Sequence, residues 1–286
     1  MSYGLGYRKD LENRARLLAT QVPFVGSNVH LMRYSGPVEI DPRKTTTIVN
    51  QLQKGSCSGA SRVEFTERLN QIQTGDYSPL DLSIDFCYLT NQKHCGCFGA
   101  DNGATIDGSM QAFEADGACH SSLMPPYTSD YIQALPAEAI AEGKKHTGAS
   151  HSQMDSYDTV VKYIQTAGVV QVGIDVGDAF MSMGKPGSGG VYTLEMAQAD
   201  HANPEGGHAQ SGLGLLLPQT VGMTGSDLVV PMGMTWGKEA GDNGWWYPER
   251  EVWDYWFKNG AEIWGASKLT SFGDPEQAID FKGIFI

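Results

Sequence analysis

No stretch of this chain approaches the roughly 20 consecutive apolar residues that a membrane-spanning helix needs. Met1 to Asp10 also lacks the apolar core of a secretory leader. These two absences lead to the expectation of a cytoplasmic protein with no membrane partner. Basic residues are scarce as well: 20 Lys and Arg against 33 Asp and Glu leave a formal charge of −13. Neutralising phosphates takes clustered cations, so nucleic acid is not expected as a partner. Cysteine is sparse, at five in 286 residues, which excludes a disulfide-built scaffold. Internal repeats are missing. The run Gly184 to Gly190 lacks the Gly-Lys-Ser/Thr ending of a phosphate-binding loop and reads as a turn-rich connection. Nothing in the chain calls for a cofactor.

A hydrophobic content of 41% is enough for a core, in one large domain or two halves around a cleft. Residues 1–35 are polar and read as an extension packing on the body. Residues 36–155 read as a helical half, with helices expected over Gly108 to Asp116 and over Ala134 to Lys145, where Pro136 marks a start. Residues 156–286 read as a β half with a C-terminal segment. There a helix over Tyr157 to Thr166 precedes β-like runs at Val169 to Val176 and Leu213 to Leu217, separated by glycine-rich loops.

Cys57 follows Gly55-Ser56 and precedes Ala60, Val63, Leu69 and Ile72, an apolar set at roughly helical spacing. Its sulfur is therefore expected at a helix N-terminus, where the dipole favours thiolate. Most free cysteines are small buried hydrophobes. Gln51, six residues earlier, argues for more, because a thiol that attacks a carbonyl needs an amide donor beside it. Cys95-Gly96-Cys97, with His94 adjacent and Cys87 nearby, matches tetrahedral zinc poorly, so no metal is expected. These residues read as loop packing or a local redox-sensitive pair. Trp245, Trp246, Trp253, Trp256 and Trp264 read as core and inter-half packing.

The run Asn50-Gln51-Leu52-Gln53-Lys54-Gly55-Ser56-Cys57 resembles the nucleophile segment of papain-like cysteine peptidases, in which Asn-Gln-Gly precedes Gly-Ser-Cys. Gly207-His208-Ala209 is similar to that family's His-Ala segment. Trp236-Gly237 with Gly241-Asp242-Asn243-Gly244-Trp245 is similar to its Trp-Gly…Gly-Glu-Asn-Gly-Tyr segment, in the same chain order. Asp41-Pro42-Arg43, Asn102-Gly103-Ala104, Pro125-Pro126-Tyr127, Val170 to Asp175, Phe180 and Gly190-Val191-Tyr192 add smaller matches. Gly6 to Leu11 with Arg14 resembles the start of a bacterial-type branch.

The resemblance implies an α+β fold of two lobes with the active site between them. It implies that Cys57 is the nucleophile, that His208 is the base, and that Gln51 with the Cys57 N–H forms an oxyanion hole. The backbone of Gly103 and Ala104 would bind a polypeptide substrate as an added strand, with Trp236 beside the base. His201-Ala202 is the competing base, but it runs into Asn203-Pro204-Glu205-Gly206 and is expected in a loop near the cleft. His208 instead precedes Gly212 to Leu217, a run that suits a core strand. His30, His94, His120, His146 and His151 have no matching context.

Three departures from the family pattern stand out. The asparagine that orients the imidazole is replaced by Met234, whose thioether is a weak acceptor. Thr235, a water or a backbone carbonyl is then left to orient His208. Ser58 stands where a Trp is usual. Lys54 and Asp101 occupy the positions of a cysteine pair found in secreted members, which suggests an ion pair and a reducing compartment; a partly exposed pair contributes only about 0 to 1 kcal/mol. Only about 35 residues precede the matching region, too few for the usual helical prosegment, so latency of that kind is not expected. The preferred reading is a cysteine endopeptidase working with a Cys57/His208 pair. Next come a papain-like fold without catalysis, serving as a binding or structural component, and then a hydrolase of cell-wall peptides. Oligomeric state is left open.

Overall fold

A computed structural model describes residues 4–9, 39–126, 134–166 and 168–269. Asp10, Leu11 and Arg14 of the N-terminal signature, His30, Tyr127 and the C-terminal segment after 269 lie outside these residues. Among the described residues, eight α-helices and one seven-stranded sheet form the expected α+β arrangement.

Helix α1, Cys57–Thr74, runs through the middle and is buried from Cys57 to Gln71. A helix enclosed on all sides needs no single apolar stripe, but its polar side chains must find partners inside. Arg62 does so by donating to Asn91 Oδ1, Thr90 Oγ1 and the Gly117 carbonyl. The helix stops at Gly75, whose left-handed φ of 71° lets its N–H reach the Gln71 carbonyl.

Helices α2, Ile84–His94, and α3, Ile106–Ala115, complete the helical lobe. Ser83 and Thr105 cap them by accepting the N–H groups of Phe86 and Gly108, contacts typically worth about 1 kcal/mol each. That cap starts α3 at Ile106, two residues before the expected Gly108. Helix α4, Ala137–Gly143, is shorter than the expected 134–145, because Pro136 sits at its cap in an extended conformation with ψ 138°.

The sheet comprises β1 (Gly148–Gln153), β2 (Val169–Val176), β3 (Val191–Tyr192), β4 (Gly206–Gly212), β5 (Met232–Gly233), β6 (Trp245–Pro248) and β7 (Glu262–Leu269). Helices α5 (Tyr157–Gln165), α6 (Asp178–Met183), α7 (Leu194–Ala202) and α8 (Arg250–Asn259) intervene. The spatial order is β1-β7-β2-β4-β5-β6-β3, antiparallel throughout except for β3 beside β6. Strand β1 precedes residue 155 in the chain and still pairs with β7 in the sheet.

One core cluster joins α1 and α3 to the sheet through Phe65, Leu69, Ile106, Phe113, Ala209 and Trp264. A second lies on the far side, around Phe180, Tyr192, Trp246, Trp253 and Trp256. The tryptophans are therefore core residues, and Trp246 satisfies its buried N–H on Gln210 Oε1 at 2.8 Å. The run Leu213 to Leu217 does not form a strand of its own. It makes only single bridges, Leu215 to Ile40 and Leu216 to Val229. The strand that carries His208 is the glycine-rich stretch just before it.

Candidate active site

Cys57 is the first residue of α1 and is fully buried. The helix start is held from the sheet side, where Gln171 of β2 donates to the Ser58 carbonyl at 3.0 Å and to Ser61 Oγ. Ser211 of β4 donates to the Ser61 carbonyl at 2.8 Å. A glutamine inside the apolar run Val169–Val176 was the sequence signal for this tie. Backbone N–H groups of Ala209, Gly6, Ser58 and Cys57 itself approach the thiol, yet burial outweighs them and pushes it up to about 11.

His208 lies on β4, opposite Ile174 of β2, and is fully buried. Burial lowers its imidazole to about 3. Both groups are therefore neutral in this state. The thiolate favoured at a helix N-terminus does not form where desolvation dominates. Trp236 covers the imidazole, with ring centroids 4.8 Å apart, and Phe180 meets it edge-on at 5.7 Å. Trp236 is 2% exposed with residues 4–9 in the cleft.

Gln51 is likewise buried. Its N–H donates to the Thr235 carbonyl at 2.9 Å, and its side-chain amide donates to the carbonyls of Lys54 and Gly4 at 2.9 and 2.7 Å. Thr235 donates its hydroxyl to Gln51 Oε1 at 2.8 Å and lies 3.4 Å from His208 Nε2. Met234 is buried in the aromatic cluster, its terminal methyl beside Gly241. Glu64 sits below these groups, accepting from the Ser211 hydroxyl and from the backbone N–H groups of Val49 and Thr235. Burial raises its carboxyl to about 8. Nothing in the linear pattern marked Glu64, because a charged residue on a helix ordinarily faces water.

The cleft holds a peptide, and the peptide is the chain's own residues 4–9. Tyr7 N–H donates to the Gly207 carbonyl at 3.0 Å on the β side. On the helical side, Ala104 N–H donates to the Gly6 carbonyl at 2.8 Å and Arg8 N–H to the Ala104 carbonyl at 3.0 Å. Lys9 pairs with Asp175 of β2. Of the two expected substrate-binding positions, only Ala104 offers its backbone in this way. Gly103 donates to Tyr88 Oη and accepts from Gln92. At Gly103, with φ 75°, a Cβ would fall 1.8 Å from the Gly6 carbonyl oxygen, so a side chain would expel the segment. Gly6 turns an N–H toward Cys57 and its carbonyl toward Ala104, so its own peptide bond is not presented for attack. Residues 4–9 thus lie against both walls of the cleft.

Two further expectations need correction. Lys54 pairs with Asp85 at 2.9 Å, and Asp101 instead accepts from the Gly55 N–H and the Tyr88 hydroxyl. The tie between nucleophile loop and Asn102 loop therefore exists, through a carboxylate on backbone. His201 is in the last turn of α7, not in a loop. Its Nδ1 lies 3.0 Å from Asp175 Oδ2, the carboxylate that also holds Lys9. Cys95 and Cys97 are joined to each other as a disulfide, and Cys57, Cys87 and Cys119 are free and buried. Among the described residues no cluster has the makings of a metal site, and no helix is long and apolar enough to cross a membrane.

A cysteine at the mouth of a central helix, a histidine on a facing strand and a cleft that binds extended polypeptide define a cysteine-peptidase fold. The model of the papain family of cysteine proteases matches residues 36–257, and the chain belongs to that family. Among solved structures it is similar to xylellain, a cysteine protease from Xylella fastidiosa. That match has a TM-score of 0.66 at 16% identity and covers 93% of this chain and 96% of the other. It is also similar to the ragweed pollen allergen Amb a 11 in its proform, with TM-score 0.63, 17% identity and coverage of 94% and 77%. A third match is procathepsin B S9 from Trypanosoma congolense, with TM-score 0.63, 13% identity and coverage of 93% and 87%. Identities this low speak for the fold alone. No curated protein matches significantly.

Proposed function

We propose that this chain is a cysteine endopeptidase in which Cys57 attacks a peptide carbonyl and His208 moves the protons. The observation that carries this reading is the extended segment 4–9, because a single peptide engages the Gln51 amide, the Cys57 thiol, Ala104 and Gly207 at once. A substrate with the same backbone groups can use the same donors and acceptors once that segment has left. Its departure also readmits water, which removes the desolvation that keeps thiol and imidazole neutral and allows the thiolate–imidazolium pair to form.

In the reaction His208 accepts the thiol proton and the sulfur bonds to the carbonyl carbon. Gln51 and the Cys57 N–H stabilise the resulting oxyanion. Collapse breaks the C–N bond as His208 passes its proton to the leaving amine. Water, deprotonated by His208, then cleaves the thioester and restores the thiol. The competing reading, a fold that only binds, draws on Met234, which contributes no hydrogen-bond acceptor of any strength beside the base.

Labelling by a peptidyl epoxide, read by mass spectrometry, separates the two. Mass added at Cys57 of the Tyr7→Ala variant, at a rate well above that of the unfolded chain, supports the peptidase. An unmodified Cys57 in that variant, with the unfolded control fully labelled, removes it.

A further inference from the structure

His208 is a fully buried imidazole whose two nitrogens have different surroundings. Nδ1 has no hydrogen-bond partner, and Nε2 faces the hydroxyl of Thr235 at 3.4 Å. Which nitrogen carries the proton follows from the partners beyond that hydroxyl. The Gln51 side chain approaches two backbone carbonyls, of Gly4 and Lys54, and carbonyls only accept. Its NH₂ must therefore face them, which leaves Oε1 toward Thr235 at 2.8 Å. An amide oxygen cannot donate, so the Thr235 proton is committed to Gln51, and what the hydroxyl offers His208 is a lone pair. The nitrogen facing it must then be N–H, and Nδ1 keeps its lone pair free.

Thr235 is held in a backbone conformation unusual for a residue of its type. Its φ is 48°, in the left-handed region that β-branched residues seldom enter. Three contacts over-determine that conformation: the N–H donates to Glu64, the C=O accepts from Gln51 N–H, and the hydroxyl reaches Gln51 Oε1. Strain retained at a buried position beside a site is commonly a mark of function. Met234, immediately before it, is spent on packing in the aromatic cluster.

We infer that Thr235 is a positioning residue that holds His208 as its Nε2–H tautomer and aims the bare Nδ1 as the base, linking the imidazole to the Gln51 oxyanion donor through one hydroxyl. This rests on the Cys57/His208 reading for its kinetic consequence, but not for the tautomer itself. The separation of 3.4 Å is long for an N–H···O bond, and such contacts tighten when a site becomes charged. An imidazolium formed during the reaction donates more strongly to the same oxygen.

The test uses the full chain with ¹⁵N-histidine, in long-range proton–nitrogen spectra, together with hydrolysis kinetics in the Tyr7→Ala background. The parent is expected to show His208 protonated on Nε2 alone. Thr235→Ser keeps that signature and most of the rate. Thr235→Val gives mixed tautomers, with kcat down about 10- to 100-fold, KM nearly unchanged and a displaced acid limb of the pH profile. Thr235→Gly relieves the strained φ and removes the hydroxyl, so it answers the question if the valine variant fails to fold. A parent protonated on Nδ1, or a Thr235→Gly variant with the parent's tautomer, overturns the inference. Should the Tyr7→Ala protein hydrolyse nothing, the peptidase reading fails while the spectra still decide the role of Thr235.

Discussion

The two walls of the cleft are built in different ways. The helical wall takes its chemistry from a short continuous stretch, in which Gln51, Ser56 and Cys57 span seven positions and the sulfur is placed by the start of α1. The β wall is assembled from His208 on β4, Thr235 after β5 and Trp236 stacked on the imidazole, with Glu64 reaching up from α1 to hold the backbone at Thr235. Gln51, Ser56 and Cys57 match the family's pattern, whereas in the β wall Met234 stands where the resemblance implies an asparagine. The difference teaches where substitution is tolerated: a local turn and helix start leave one geometry, whereas a site converging from several segments can pass a role to a neighbouring residue.

The helical wall has no substitute for its sulfur. Cys57→Ala is expected to bring hydrolysis and epoxide labelling to background, a loss of at least about 10³-fold, which mass spectrometry and peptide turnover will show. The β wall should fail by stability. Trp236→Ala removes a buried ring from the imidazole and Phe180, and an expected cost of about 3–5 kcal/mol is measurable by denaturant unfolding. A variant that unfolds at the parent's midpoint would mean that the imidazole needs no cover.

The two walls also oppose each other in pH. His208 falls from 6.5 unfolded to about 3 folded, so the unfolded chain binds more protons and stability rises with pH between those values. Glu64 rises from 4.5 to about 8, so the folded chain binds more protons and stability falls across that window. From these two groups, stability should be nearly flat from pH 4.5 to 6.5, decline toward 8, and decline again below 4.5. Glu64→Gln should abolish the alkaline decline, whose size by pH 8 is on the order of 2 kcal/mol. Melting curves across that range are the check, and an unchanged slope in the variant would assign the decline elsewhere.

Smaller effects sharpen the comparison. Met234→Asn restores an acceptor to the β wall. With Thr235 already on the imidazole, the expected gain in kcat is below about tenfold. A larger gain would say that the threonine serves poorly. Lys9→Ala loosens the peptide that bridges both walls. Because the Lys9–Asp175 pair is partly exposed, Cys57 alkylation should speed up only a few-fold, in line with about 1 kcal/mol.

Much of this was legible in the sequence. The start of α1, strand β2 at Val169–Val176 and helix α5 from Tyr157 follow from capping, apolar runs and periodicity that a linear reading captures. Strand β4 was misplaced toward Leu213–Leu217. The residues Gly206 to Gly212 have little strand propensity, and their conformation comes from pairing with β2 along the whole length. Glu64 and Asp101 were missed or misassigned because side chains recruited by backbone N–H groups leave no pattern in the chain.

By itself the sequence determined the family and the α+β fold class, since these are carried by motifs of residues close together in the chain. Only the tertiary structure decided which hydroxyl faces His208, that Trp236 covers it, and that residues 4–9 fill the cleft. Those are contacts between segments up to about 230 residues apart in the chain, such as Thr235 and Gly4 meeting at Gln51. Burial, which only the assembled fold creates, then set the thiol and imidazole neutral against the pull of the helix dipole.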